Sequence, residues 1–237
     1  MDKLTQDAPF SSGLTRTQKT LGWFYVFMHM LVLPLLVGLY TYYSPDSVDP
    51  IAANAVYYAI GLIFVFTALY TLLRGGFDTL LDDFLRCLLT FLMALGIDYL
   101  LSMAMGIVLV GLGLTGTAPN NTAVEELSQV NSGATRAMAV FIAPIVEECL
   151  FRGVVFGSIR EKSRVGAYAA SAVLFSVYHV WQYALVYADW GMLVYAIQYI
   201  PVSIALCLCY DKSRSIWTPI FFHMMVNAAS FALLELL

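Results

Sequence analysis

The chain has 237 residues, of which 60% are hydrophobic and 12% are charged. A soluble domain carries about twice that charged fraction, so the composition excludes an ordinary soluble protein and favours a polytopic membrane protein. The formal net charge of −4 says little about partners, and we expect no nucleic-acid partner. The four cysteines lie within or beside apolar stretches. Cys207 and Cys209 point about 200° apart on a helix, so we interpret the cysteines as structural rather than as metal ligands or a disulfide.

Seven apolar stretches are long enough to cross a bilayer, which takes roughly 20 residues each. They are 21–43, 52–73, 87–114, 137–157, 165–187, 190–210 and 216–236. The third stretch is long and must tilt, bend near Gly96 or split in two. The sequence therefore predicts an all-α transmembrane helix bundle of about seven helices, with eight as the alternative.

Basic residues predict the orientation of this bundle. The side that carries the N-terminus holds ten of them, and the other side holds only Arg136; the ten are Lys3, Arg16, Lys19, Arg74, Arg86, Arg160, Lys162, Arg164, Lys212 and Arg214. The positive-inside rule places the N-terminus in the cytoplasm and the C-terminus outside, and the short loops suit a bacterial cell membrane. The chain divides into a cytoplasmic segment 1–20, three helices with an outer loop over 21–136, and a helical core over 137–237.

Three charged side chains fall in the middle of the fourth predicted span. Glu148 and Arg152 are i,i+4 neighbours on one helical face and can form an ion pair. Glu147 is rotated by about 100° from Glu148, so it points elsewhere and needs a proton, a metal ion or another cation. Because a charge at mid-membrane costs about 3 kcal/mol, this cluster indicates a function rather than helix packing alone.

Polar side chains also lie inside two further predicted spans. His179 lies in the fifth span, and His223 and Asn227 lie at i,i+4 on one face of the seventh. Each alone is typical of a hydrogen-bonded packing residue, and we interpret His29 of the first span in that way. At 1.5 Å per residue, the other three and Glu147 fall within roughly 10 Å of the midplane, so we expect one shared polar cavity. A carboxylate, two imidazoles and an amide suit hydrolysis by activated water, with or without a metal.

These residues form three motifs that resemble those of the CPBP intramembrane protease family. That family is also called the CAAX protease or Abi family, and it includes the Rce1-like prenyl endopeptidases. Its motifs EExxxR, FxxxH and HxxxN/D occur here in order, as Glu147-Glu148-xxx-Arg152, Phe175-xxx-His179 and His223-xxx-Asn227. The resemblance covers about residues 137–237, which makes this part the protease-like catalytic core. The first three spans resemble only generic membrane helices.

The resemblance implies a role for each of these side chains. Glu147, helped by His179, would activate a water molecule, and His223 and Asn227 would orient that water or stabilise the oxyanion. The other two charged residues of the first motif would hold the geometry as supporting residues. The family is described both as metalloproteases and as glutamate proteases. A Zn²⁺ ion held by Glu147, His179 and His223 and a metal-free mechanism therefore both stay open.

The predicted function is an intramembrane endopeptidase. Its partners would be the lipid bilayer and a membrane peptide or lipidated protein as substrate, while the oligomeric state stays open. One alternative is a catalytically silent scaffold or immunity membrane protein that uses the same fold. The other is a small ion-coupled transporter in which Glu147 and the histidines relay ions. The absence of an inverted sequence repeat argues against a transporter.

Overall fold

The structure is a computed structural model that describes residues 9–43 and 49–234. These two ranges contain helices and connecting loops and no strand, so the predicted all-α class is confirmed. Lys3, the first eight residues of the predicted cytoplasmic segment and the last residues of the seventh predicted span lie outside the described ranges. The division of the chain at residues 21 and 137 stays a prediction.

The first span begins earlier than predicted, because a capping box starts its helix. Helix α1 covers Arg16–Phe27. The Thr15 hydroxyl accepts a hydrogen bond from the Gln18 N–H, while the Gln18 side chain accepts one from the Thr15 N–H. These two bonds satisfy amide groups that the start of a helix leaves unpaired. A π-helical turn, Met28–Val32, then carries α1 into α2, Leu33–Tyr43.

The predicted second and third spans differ from the structure in two respects. Helix α3 covers Pro50–Ala68 and breaks at Leu69, so the predicted end of the second span at residue 73 is wrong. The expected loop before the third span is instead largely helix α4, Tyr70–Asp82. Helix α5 then runs unbroken over Phe84–Gly111, so the third span does not split at Gly96.

A long helical rod forms the centre of the C-terminal part, after helix α6, Pro119–Val130. The rod, which we call the central rod, runs over 132–160 without a loop. Two π-helical segments alternate with its α-helical parts; in order these are α7 (Ser132–Ala137), the π-turn Met138–Ile142, α8 (Ala143–Glu148), the π-segment Cys149–Phe156 and α9 (Gly157–Arg160). The first motif therefore lies where α-helical winding changes to π-helical winding.

Four more helices complete the fold, together with a 3₁₀-helical stretch, Trp190–Tyr199, that leads into the third of them. The helices are α10 (Arg164–Tyr178), α11 (Trp181–Val186), α12 (Ile200–Ser213) and α13 (Trp217–Leu234). The prediction of one continuous span over 165–187 is wrong, because the helix ends at Tyr178. There the His179 side chain bonds to the Phe175 carbonyl through Nδ1. The backbone N–H of His179 points to the Val177 carbonyl instead. A side chain that takes over a helix carbonyl competes with the backbone and favours a break.

Four of the seven predicted spans meet the requirements of a membrane-crossing helix by length and composition within the described residues. They are Arg16–Tyr40, Pro50–Ala68, Phe84–Gly111 and Trp190–Ser213. The central rod is not among them, and its middle carries three charged side chains; the predicted fifth span is interrupted at His179. For the fourth, fifth and seventh spans, membrane crossing therefore stays a prediction.

Close helix packing brings α1 and α3 against the central rod. The π-segment of the rod, Cys149–Phe156, is buried along its whole length, and Val146, Phe151 and Val154 are all 0% exposed. A Cβ atom added to Gly61 of α3 would lie 2.7 Å from Val146 Cγ1, and one added to Gly22 of α1 would lie 2.6 Å from Val154 Cγ2. Small residues at such contacts let membrane helices approach closely. This close contact places side chains of α3 beside the residues of the first motif.

Candidate active site

Glu147 lies at the centre of a nearly closed polar site. The side chain is 4% exposed, at the end of α8. Its Oε2 atom lies 3.9 Å from His179 Nε2 and 4.0 Å from His223 Nε2. Its Oε1 atom accepts a hydrogen bond from the Tyr58 hydroxyl at 3.0 Å. The structure therefore brings together three of the four residues expected in one cavity.

The hydrogen bond at His179 Nδ1 fixes the tautomer of this imidazole. Nδ1 lies 2.8 Å from the Phe175 carbonyl oxygen, which can only accept. Nδ1 therefore carries the proton, and Nε2, the nitrogen nearer Glu147, has a free lone pair when the ring is neutral. The ring also stacks on Tyr199, with centroids 4.5 Å apart. The second motif thus uses the backbone of its own Phe175 to orient its histidine.

Glu148 orients the second imidazole. Its Oε1 atom lies 2.8 Å from His223 Nδ1 and accepts a hydrogen bond from Arg152 Nη1 at 2.8 Å. Both side chains of the predicted Glu148–Arg152 ion pair are fully buried. An ionised Glu148 carboxylate can only accept, so His223 Nδ1 is the donor and Nε2 again is unprotonated in the neutral ring. The predicted supporting pair therefore also holds His223.

Arg152 is anchored on its other side by α12. Its Nη2 atom donates to the Ser203 hydroxyl at 2.8 Å and to the Ser203 carbonyl at 3.2 Å. The guanidinium carbon lies 4.3 Å from the centroid of the Phe175 ring, which is within the range of a cation–π contact. Ser203 and the phenyl ring of the second motif thus help to satisfy a charge that is buried without access to water.

Asn227 lies one turn beyond His223 on α13 and binds the backbone of the central rod. Its amide Nδ2 donates to the Ala139 carbonyl at 2.7 Å. Ala139 belongs to the π-turn Met138–Ile142, where winding leaves carbonyl groups available to side chains. The amide therefore joins α13 to the rod, and its predicted role at an oxyanion stays a prediction.

The predicted zinc ligands do not lie at ligand spacing. Within the described residues, no group of three His, Cys, Asp or Glu side chains is placed to hold a metal ion. Tetrahedral zinc with bonds near 2.1 Å separates its ligand atoms by about 3.4 Å. The distances of 3.9 and 4.0 Å from Glu147 Oε2 to the two Nε2 atoms are longer than that. The four cysteines are free and buried, as expected for structural residues.

Two residues at this site, Tyr58 and Ser203, lie outside the three sequence motifs. Tyr58 belongs to α3, outside the three motifs, and Ser203 is a common type of residue in membrane helices. A tyrosine in the interior of a span, rather than at its interfacial end, is the one available signal for Tyr58. Nothing comparable marks Ser203, because its role depends on where α12 packs.

Comparison with known proteins agrees with the motifs. The family described as Type II CAAX prenyl endopeptidase Rce1-like matches residues 130–229. The candidate membrane peptidase YdiL of Bacillus subtilis (strain 168) is 32% identical over 87 residues, which cover 36% of this chain. The match spans about a third, 31%, of that relative's own length. No solved structure matches the chain significantly.

The matched range contains all three motifs and the central rod. It leaves out all of α1 to α5, and therefore also Tyr58. The family resemblance predicted from the motifs is confirmed within this range. The protein is thus a helical membrane protein whose C-terminal part, residues 130–229, resembles the Rce1-like family.

Proposed function

We propose that this protein is an intramembrane endopeptidase that uses Glu147 to activate water against a peptide bond. The observation that carries the proposal is the position of Glu147 Oε2, within 4.0 Å of the Nε2 atoms of both His179 and His223. Three proton-accepting atoms from three elements converge in a nearly buried site, which is unfavourable unless they share a ligand. The Rce1-like resemblance of this part of the chain supports the same reaction class.

The spacing of these atoms suits a water molecule. Separations of 3.9 and 4.0 Å are too long for direct hydrogen bonds but admit one oxygen atom about 2.8 Å from each partner. A water molecule has two protons to donate, whereas Glu147 and the two neutral rings offer three acceptors. One further proton, shared among these three groups, would satisfy the arrangement.

The reaction then follows from the bound water. Glu147 takes one water proton while the water oxygen bonds to the carbonyl carbon of the substrate, whose oxygen becomes an oxyanion. A protonated imidazole, His179 or His223, donates to that oxyanion, and we assign the Asn227 amide to the same task. The intermediate collapses, the C–N bond breaks, and Glu147 returns its proton to the leaving amine. The products are a carboxyl terminus and an amine.

The ion pair next to Glu147 has a different part in this proposal. Glu148 holds His223 through Nδ1 and pairs with Arg152, so we assign neither Glu148 nor Arg152 a part in proton transfer. A tautomer fixed by a hydrogen bond at Nδ1 leaves Nε2 as the reactive atom. We derive no step through a metal ion, because the three predicted ligands are too far apart from one another.

The substrate class is part of the proposal. A site inside a bundle with apolar outer helices suits a membrane-embedded, lipidated or membrane-adjacent peptide, and the relatives' family description names prenyl endopeptidases. The basic residues on the N-terminal face support an orientation with the N-terminus in the cytoplasm, in a bacterial cell membrane.

Cleavage by the purified protein in lipid nanodiscs tests the proposal. Quenched-fluorescence peptides would be offered in two forms, one with a farnesylated cysteine near its C-terminus and one without. Glu147→Gln should lower turnover by about 10²- to 10⁴-fold, the range for loss of a general base. Glu125→Gln, which changes an exposed carboxylate of α6, is the matched control and should leave turnover unchanged. Unchanged cleavage by Glu147→Gln would overturn the proposal.

The same assay tests the metal-free mechanism. Dialysis against a chelator should leave turnover unchanged, and purified protein should contain no stoichiometric zinc. Turnover lost on chelation and restored by Zn²⁺ would show that the two histidines and Glu147 close around an ion, and the reaction would then be metal-assisted. Vesicle flux that depends on Glu147, without cleavage, would instead support a transporter.

A further inference from the structure

A buried set of polar side chains next to Glu147 belongs to no motif. It consists of His29 on α1's π-helical turn, Tyr57 and Tyr58 on α3, and Tyr178 at the end of α10; we call it the tyrosine network. His29 is 0% exposed and Tyr178 is 7% exposed. The Tyr57 hydroxyl donates to the His29 carbonyl at 2.8 Å and lies 3.0 Å from the Tyr178 hydroxyl. Tyr178 in turn lies 3.3 Å from His29 Nε2, and the Tyr58 ring packs edge-on against the Tyr57 ring with centroids 5.0 Å apart.

The available protons give this network a direction. The Tyr57 hydroxyl donates its single proton to the His29 carbonyl, so its oxygen accepts the bond from Tyr178. Tyr178 then has no proton left for His29, and Nε2 of His29 must be the donor in that pair. His29 Nδ1 is left as a buried atom without a partner, which is tolerable for an acceptor lone pair. The donors of His29, Tyr178 and Tyr57 therefore form a closed set that returns to the His29 carbonyl, and Tyr58 is the member that donates to Glu147.

Packing alone does not explain this network. Tyr25 provides the comparison, since it lies on α1 one turn before His29 and stacks on Phe64 with centroids 4.0 Å apart. Tyr25 is also buried, yet its hydroxyl has no hydrogen-bond partner. A tyrosine can thus pack in this region without a polar contact. The neighbouring tyrosines instead all form hydrogen bonds, and the one from Tyr58 ends on the carboxylate of Glu147.

We infer that Tyr58 is a positioning residue for Glu147, packed against Tyr57 of the tyrosine network. The inference rests on the proposed function and adds a residue of α3 that lies outside the Rce1-like range. With Oε1 bonded to Tyr58, Oε2 is the oxygen that faces His179 and His223. Loss of the Tyr58 hydroxyl would free the carboxylate to turn away from the two imidazoles.

Conservative tyrosine-to-phenylalanine changes test this role. Tyr58→Phe should lower kcat about tenfold, with KM and the melting temperature unchanged, because one hydrogen bond to a charged group is lost. Tyr178→Phe should leave kcat within twofold of wild type, because its hydroxyl bonds to Tyr57 and His29 rather than to Tyr58 or Glu147. Tyr25→Phe is the matched control, which removes a buried hydroxyl without a partner and should leave kcat unchanged. All are measured on the full chain in nanodiscs with the peptide used for Glu147→Gln.

The double variant separates positioning from general stability. Because the Tyr178 hydroxyl bonds to Tyr57 and His29 and not to Glu147, Tyr58→Phe with Tyr178→Phe should have the same kcat as Tyr58→Phe alone. A further loss in the double variant, or a Tyr58→Phe kcat within twofold of wild type, would overturn the inference, and so would an equal loss in Tyr25→Phe. If Glu147→Gln is inactive while Tyr58→Phe is normal, only this inference fails. If Glu147→Gln is active, the proposed function itself fails.

Discussion

The two neighbouring carboxylates of the central rod lie in contrasting surroundings. Around Glu148 the contacts are short and closed to solvent, since one oxygen binds both Arg152 and His223 at 2.8 Å and the side chain is fully buried, while its other oxygen is buried without a partner. Around Glu147 the contacts are open, with both imidazole nitrogens about 4 Å away and one hydroxyl donor. A short ion pair suits a structural role, and an oxygen that faces two imidazole nitrogens across a gap leaves room to bind a substrate group. Adjacent residues of the same type thus serve different purposes.

The largest loss of stability should come from breaking the buried Glu148–Arg152 ion pair. Arg152→Met removes the cation and leaves the Glu148 carboxylate buried without its partner, a change that costs about 3–5 kcal/mol. We expect a marked fall in melting temperature in detergent and loss of cleavage. The control is Arg74→Met, which alters an exposed arginine of α4. Equal melting temperatures for the two variants would show that the Glu148 site is not closed.

The next largest loss of stability should come from disturbing the close contact between α3 and the central rod. Gly61→Val would place a side chain where the methyl groups of Val146 lie. A Cβ atom added to Gly61 would already be only 2.7 Å from Val146 Cγ1. Overpacking of this kind costs about 1–3 kcal/mol and would move Tyr58 away from Glu147. We expect reduced stability and reduced kcat together. Gly38→Val on α2, where a Cβ would meet nothing within 4 Å, is the control and should behave as wild type.

A smaller effect is expected at Ser203. Ser203→Ala removes the hydroxyl that accepts from Arg152 Nη2 but keeps the carbonyl that also accepts from it. The loss should be about 1 kcal/mol, the net value of one hydrogen bond, and cleavage should persist. A drop as large as that of Arg152→Met would mean that α12, rather than Glu148, holds the arginine in place.

The smallest effect concerns a carboxylate outside the bundle. Burial alone would raise the pKa of Glu161, but hydrogen bonds from Lys19 and Ser12 outweigh it and hold this pKa below its usual value of about 4.5. A lowered folded-state pKa stabilises the fold above the unfolded-state value, and the stabilisation is lost as the pH falls below about 4.5 through the folded-state pKa. Glu161→Gln should flatten this part of the pH dependence of melting. An identical curve for wild type and variant would contradict the contact.

The sequence predicts the polar residues of the site better than the path of its helices. Glu147, His179 and His223 could be placed together because motif spacing and depth in a span are both read along the chain. The helix break at His179 could not be predicted, since it depends on the His179 side chain, which bonds to the carbonyl of Phe175. Tyr58 could not be predicted either, because its position beside Glu147 results from the close contact of Gly61 with Val146.

The interpretation of His29 shows the same limit. A single histidine in an apolar helix is typical of packing, and its burial agrees with that interpretation. Its bond to Tyr178 depends on how α1, α3 and α10 meet around the rod, which no local pattern encodes. Contacts between distant helices are therefore what the structure adds to the sequence.

A direct comparison of Glu147→Gln with Glu148→Gln tests the central claim, using cleavage and thermal unfolding on both proteins in nanodiscs. Glu147→Gln should lose turnover by at least about 10²-fold while it melts like wild type, since only the open side is altered. Glu148→Gln should melt at a clearly lower temperature, because Arg152 becomes a buried charge without a counter-ion. Retained cleavage by Glu147→Gln, or unchanged melting of Glu148→Gln, would contradict the division between chemistry and structure.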